Sequence, residues 1–214
     1  MPRVAYSEED RRRIREELLR TALELMSAQG IQHTTVEQIY RAVGISRTFF
    51  YTFFPTKEDL IVETLYLQQP RLVEYARSLM ADPSLSWREG VYRFLETCCY
   101  GGEGGVAVLS VEEQQMIFRR LSEESFRVFR ARQMKLFGDI LESFGIQPDR
   151  ERVGLFINLS LSVVIITRAI PQTLPMFMPE ACRASADVQI RSIVDCLEEM
   201  RNTPLPESTE PMPQ

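Results

Sequence analysis

The chain has 214 residues, 44% hydrophobic and 26% charged, enough apolar material to form a core without disulfide or metal staples. Its four cysteines lack C-x-x-C spacing and it has a single histidine, His33, which argues against a zinc site, a disulfide framework and a Ser-His-Asp hydrolase. The net charge of −5 speaks against a nucleic-acid partner in bulk, but residues 1–60 are neutral, with nine Arg/Lys against nine Asp/Glu, and the acidic excess lies downstream.

From Ser7 to Gly30, the apolar residues Ile14, Leu18, Leu19, Ala22, Leu25 and Met26 recur at steps of three and four, which predicts an amphipathic helix. Ser7 with Asp10 forms a capping-box pattern at its start, and Gly30 is its stop. Thr34 or Thr35 caps a short second helix through Ala42, closed by Gly44, and Ser46 caps a third over Ser46–Phe53. Pro55 and Thr56 open a fourth helix, expected to pass Tyr66 and reach Met80, with Pro70 as a break or a new start. Further helices are expected near 84–100, 106–121, 122–144, 149–170 and 184–201, followed by a proline-rich tail, 203–214, without periodicity. No stretch alternates with period two, so the fold class is all-α with about nine or ten helices.

The most apolar stretch, 153–170, is interrupted by Asn158, hydroxyl residues and Arg168, so it reads as a helix buried in protein rather than a membrane span. The charged N-terminus lacks a signal-peptide pattern, and the expected address is the cytoplasm. Nothing points to an enzyme or a cofactor. The glycine-rich GGEGG at 101–105 follows a helix rather than a strand, and the pairs Glu112–Glu113 and Glu123–Glu124 read as solvated faces.

The segment ISRTFFYTFF, 45–54, crowds five aromatics into six positions. Wound as a helix, it puts Phe49, Phe50, Phe53 and Phe54 in one stripe with Ser46, and Arg47, Thr48, Tyr51 and Thr52 on the other side. That second face has the chemistry of nucleic-acid contact. Arginine forks onto guanine or phosphate, hydroxyls reach phosphate, and threonine methyls meet thymine. Two short helices joined by AVGIS then make a helix-turn-helix; the other reading is a plain helical corner whose polar face is only solvated.

The stretch TTVEQIYRAVGISRTFFYTFFPTKEDLI resembles the N-terminal DNA-binding domain of the tetracycline-repressor (TetR) family of bacterial transcriptional regulators. The landmarks are Thr35, Ile39, Ala42, Gly44, Ile45 and Ser46, continuing through Phe50, Tyr51, Phe54, Lys57 and Leu60. The resemblance implies that Thr34 or Thr35, Tyr51 and Lys57 grip phosphates, and that Arg47, Thr48 and Thr52 reach base edges or the flanking backbone, with Ser46 and Phe49 on the same reading element. Two positions depart from the family pattern. Thr48 stands where a small residue is usual and Phe49 where threonine is frequent; Phe49 either wedges toward thymine methyls or packs on the first helix.

Downstream, the resemblance implies a small-molecule site and a dimer interface. Trp87, Val91, Phe94 and Cys98 step along one helix face, followed by Phe118, Phe126, Phe129 and Met134, with Asn158 and Ser162 as polar points; this set is a candidate effector pocket or plain core. Ile190, Ile193, Val194 and Leu197 line one face of the last helix and, with Leu155, Leu159 and Ile166, form a candidate dimer seam. The expected division is a DNA-binding domain at 1–60, an effector and dimerisation domain at 61–202, and the tail. The expected function is a homodimeric repressor of a (pseudo)palindromic DNA operator, released by a partly apolar small-molecule effector. The alternative is a family member without specific DNA binding that serves as a small-molecule or protein-interaction module.

Overall fold

The computed structural model describes residues 6–100, 123–169 and 178–204, with single positions 115, 119 and 121. Among these residues there are helices and no strands: α1 (Glu8–Gln29), α2 (Val36–Ala42), α3 (Arg47–Phe50), α4 (Lys57–Ala81), α5 (Trp87–Tyr100), α6 (Glu123–Ser143), α7 (Arg150–Ala169), a 3-10 turn at Pro179–Ala181 and α8 (Cys182–Asn202). The all-α expectation holds. The helix expected at 106–121, Phe118 and the tail beyond 204 lie outside the described residues. No described helix is long and apolar enough to cross a membrane.

The caps fall where the side-chain chemistry put them. Ser7, Thr35 and Thr56 each accept from the backbone N–H three residues on, and Asp10, Gln38 and Asp59 reach back to complete three capping boxes. The Ser7 hydroxyl bond, with the Ser7 backbone bond, holds the Asp10 carboxyl below its ordinary range. Helix α2 ends in a Schellman turn: Ile45 N–H reaches the Tyr40 carbonyl and Gly44 N–H the Arg41 carbonyl, with Gly44 at φ 76°. A side chain at that φ would be strained, so glycine is what lets α3 leave α2 at a sharp angle.

Two apolar clusters organise the helices. The first gathers Leu18, Ala22 and Met26 of α1, Ile39 of α2, Phe50 and Phe54, and Leu60 and Ile61 of α4. The second gathers Val73 and Ala76 of α4, Val91 and Leu95 of α5, and inward faces of α6, α7 and α8. Helix α4 contributes to both, and Phe129 of α6 joins the first cluster. Residues 60 and 61 are thus successive positions of one continuous helix.

Three expectations are corrected. Pro70 lies inside α4 and neither breaks nor restarts it. Packing of α4 against α1, α5 and α6 holds the helix together through the missing N–H. The third helix is one turn, Arg47–Phe50, and then tightens: Thr52 N–H bonds Phe49 and Phe53 N–H bonds Phe50, three residues back. The seam residues Ile190, Ile193, Val194 and Leu197 are at most 4% exposed and belong to the second cluster of their own chain, so that face of α8 is not free for a partner.

Candidate nucleic-acid interface

The aromatic run separates into core and surface. Phe50 and Phe54 have no exposed surface, and burial of each contributes about 2–3 kcal/mol to holding α3 on α1. With those two rings anchored, Arg47, Thr48, Tyr51 and Thr52 are exposed on the opposite side, and Tyr51 is 39% exposed despite its size. The Arg47 guanidinium stands 5.9 Å from the Tyr51 ring, a contact that holds both side chains on one outward patch. Thr52 donates its hydroxyl to the Phe49 carbonyl at 2.7 Å, which leaves its lone pairs and methyl on the surface. Ser46 accepts from Phe49 N–H and is a helix cap first.

Phe49 packs. Its ring stacks on Tyr6 at 4.6 Å between centroids and meets Phe53 edge-on at 5.0 Å. The Arg11 guanidinium of α1 lies 4.8 Å from the Phe53 ring. Of the two readings left open for Phe49, the structure has the packed one, supported from before and within α1.

Two expected phosphate contacts have other employment. Thr34 is fully buried and donates to the Gly30 carbonyl at 2.8 Å, so it is a staple of the α1–α2 turn and not a surface donor. Lys57, half-buried, donates to the Ile31 carbonyl at 3.1 Å. Thr35 is exposed at the N-terminus of α2, where the first amides of the helix point outward.

A cavity of about 500 Å³ opens between α4, α5, α6 and α7, a size ordinary for small-molecule sites. Of the expected pocket residues, Phe94, Cys98, Phe126, Phe129, Met134 and Asn158 line it. Trp87, Val91 and Ser162 do not. Trp87 donates its indole N–H to the Phe144 carbonyl, Val91 is sealed in the core, and Ser162 is exposed and bonds the Asn158 carbonyl. Among the lining residues missed from sequence are the amides of α4, Gln68 and Gln69, Arg130 and Gln133 of α6, and Ser160 of α7. The signal available was polar residues set among the apolar positions of these helices. Next to the cavity, burial raises the Tyr66 phenol above its ordinary range, opposed by the Arg132 guanidinium 4.2 Å from its ring.

Residues 18–64 match the model of bacterial regulatory proteins of the tetR family. The chain is 51% identical over 49 residues to the HTH-type transcriptional regulator TcmR of Streptomyces glaucescens, covering 23% of this chain and 22% of that protein. It is 32% identical over 87 residues to the HTH-type transcriptional regulator AcrR of Shigella flexneri, covering 39% of this chain and 40% of that one. The matched segments thus span between about a fifth and two-fifths of these relatives. A TetR-family regulator from Pectobacterium atrosepticum superposes over 94% of this chain and all of its own with a TM-score of 0.57 at 14% identity. One from Cytophaga hutchinsonii superposes over the same shares with a TM-score of 0.55 at 12% identity. These structural likenesses establish the shared fold over nearly the whole chain.

Proposed function

We propose that this chain, whose N-terminal segment belongs to the tetR family of bacterial regulatory proteins, is a homodimeric transcriptional regulator that binds duplex DNA and is released from it by a small molecule. The observation that carries the reading is the exposed patch Arg47, Thr48, Tyr51 and Thr52, held rigid by the buried Phe50 and Phe54 beneath it. A head of this shape lays α3 in the major groove, with the patch toward base edges and the α2 N-terminus at Thr35 toward a phosphate. Titration against a fluorescent duplex from the gene's own upstream region, at two salt concentrations, tests this. Binding that weakens steeply with salt and is weakened in Arg47→Ala supports it; no binding at low salt, on that duplex or on a random-sequence library, sinks it and leaves the binding-module reading.

Release follows from the place of α4. Its first turns pack against α1 in the reading head, and Leu65, Gln68, Gln69 and Leu72 farther along it line the cavity. A ligand that prefers one position of α4 shifts the population of head spacings and so the DNA affinity.

For the dimer, Leu155 of the expected seam on α7 is kept, and the outer face of α8 takes the place of the four buried residues. Leu155 is 41% and Val188 63% exposed, and Ser192 and Ser162 continue those stripes. Val188→Glu is expected to shift the protein to monomer in light-scattering chromatography, and a dimer that survives both Val188→Glu and Leu155→Glu would rule this face out.

A further inference from the structure

The unpartnered polar atoms of the cavity say more about its occupant than its apolar walls do. Ser160 Oγ and Gln69 Nε2 are shielded from solvent and have no hydrogen-bond partner among the described residues, and both residues line the cavity. A buried donor or acceptor left unpaired is destabilising, so such a pair in one cavity asks for a ligand that completes it.

Ser160 is the more telling of the two. A serine or threonine inside a helix has an easy partner in the carbonyl one turn back. Ser162 donates its hydroxyl to the Asn158 carbonyl at 2.7 Å, Thr64 to that of Leu60 at 2.7 Å, and Thr167 to that of Val163 at 2.8 Å. Ser160 shares α7 with Ser162 and Thr167 and is only 7% exposed, yet it does not make that bond. Gln69 comes from a different helix, α4, and the unpaired atom of its amide is a donor. Arg130, a side chain with donors only, lines the same cavity. Phe94, Phe129 and Phe137 supply flat apolar wall around these groups.

We infer that the cavity takes a ring-bearing molecule carrying a carbonyl or equivalent acceptor oxygen, which Gln69 and Ser160 hold between α4 and α7. The inference rests on the reading of this cavity as the effector site. One oxygen accepting from both groups bridges the two helices, and α4 is the helix that reaches the reading head.

The test is equilibrium dialysis of the full-length protein against fluorenone and against fluorene, the same ring system without the oxygen. Fluorenone is expected to be retained roughly tenfold more tightly, since the hydrogen bonds it completes are buried. Ser160→Ala and Gln69→Leu are each expected to narrow that ratio, and together to bring it near one while fluorene retention holds. Gly154 lines the cavity, and a Cβ added there meets nothing within 4 Å, so Gly154→Leu keeps α7 intact and projects bulk into open space. It is expected to block both compounds. Equal retention of the two by the unmodified protein overturns the acceptor inference and leaves the cavity as a binding site. If neither compound binds, or both survive Gly154→Leu, the cavity reading falls and the inference with it.

Discussion

The Lys57 ammonium donates to the backbone carbonyl of Ile31 at 3.1 Å, tying the first residue of α4 to the turn that follows α1. The bond spans 26 positions of sequence and joins the start of α4 to the N-terminal helices.

Lys57→Ala is therefore expected to loosen the head, by about 1 kcal/mol for a half-exposed charged hydrogen bond. Urea denaturation of the full chain checks the loss. In DNA titrations, the slope of log affinity against log salt is expected to stay unchanged in Lys57→Ala and to fall by about one in Arg47→Ala. A fall of one in Lys57→Ala would return this lysine to the phosphate contacts.

Thr34→Val keeps the shape of a fully buried side chain and removes the donor to the Gly30 carbonyl. The stranded carbonyl is expected to cost about 1–2 kcal/mol. DNA affinity measured well below the melting temperature should be unchanged, whereas a phosphate contact would show as lost affinity at full stability.

Pro70 is exposed in the middle of α4 and has no N–H for the Tyr66 carbonyl. Pro70→Ala restores that bond, and after the greater freedom of the unfolded chain is counted it is expected to stabilise the protein by about 1–2 kcal/mol. Calorimetric melting would show a higher midpoint; a lower one would mean that α4 is shaped around the proline ring.

Tyr92 of α5 donates to Asp187 of α8, and this hydrogen bond first, with burial second, pushes the Tyr92 pKa up to about 12. The bond needs the protonated phenol, and the raised pKa makes its contribution complete below the ordinary tyrosine value near 10 and lost as pH rises toward 12. Wild type is thus expected to melt above Tyr92→Phe at about pH 8, with the gap closing as pH passes about 10. A gap that widens with pH would overturn the assignment. The same bond holds Asp187 below its ordinary range, after the larger effect of Arg191.

Much of the head was legible because its determinants are local. The Ser7 box, the helix starts near Thr35 and Thr56, the Gly44 turn and the split of the aromatic run all depend on residues within a few positions of each other. Even there, Thr34 and Thr35 were indistinguishable, since either hydroxyl caps a helix. Which one turns inward was settled by the Gly30 carbonyl beneath it.

The sequence by itself determined the all-α class, the two short helices joined at Gly44 and their outward polar face, because period, caps and turn glycines act over single turns of chain. Only the tertiary structure decided how Ile190, Ile193, Val194 and Leu197 are used, since an apolar stripe on α8 is the same whether its own core or a second subunit covers it. It likewise decided the course of α4 through Pro70, where packing on three helices outweighs one missing hydrogen bond. And it brought Gln69 and Ser160, 91 positions apart, to one cavity, a meeting set by how α4 and α7 both pack on α5 and α6 and not by the spacing of either helix.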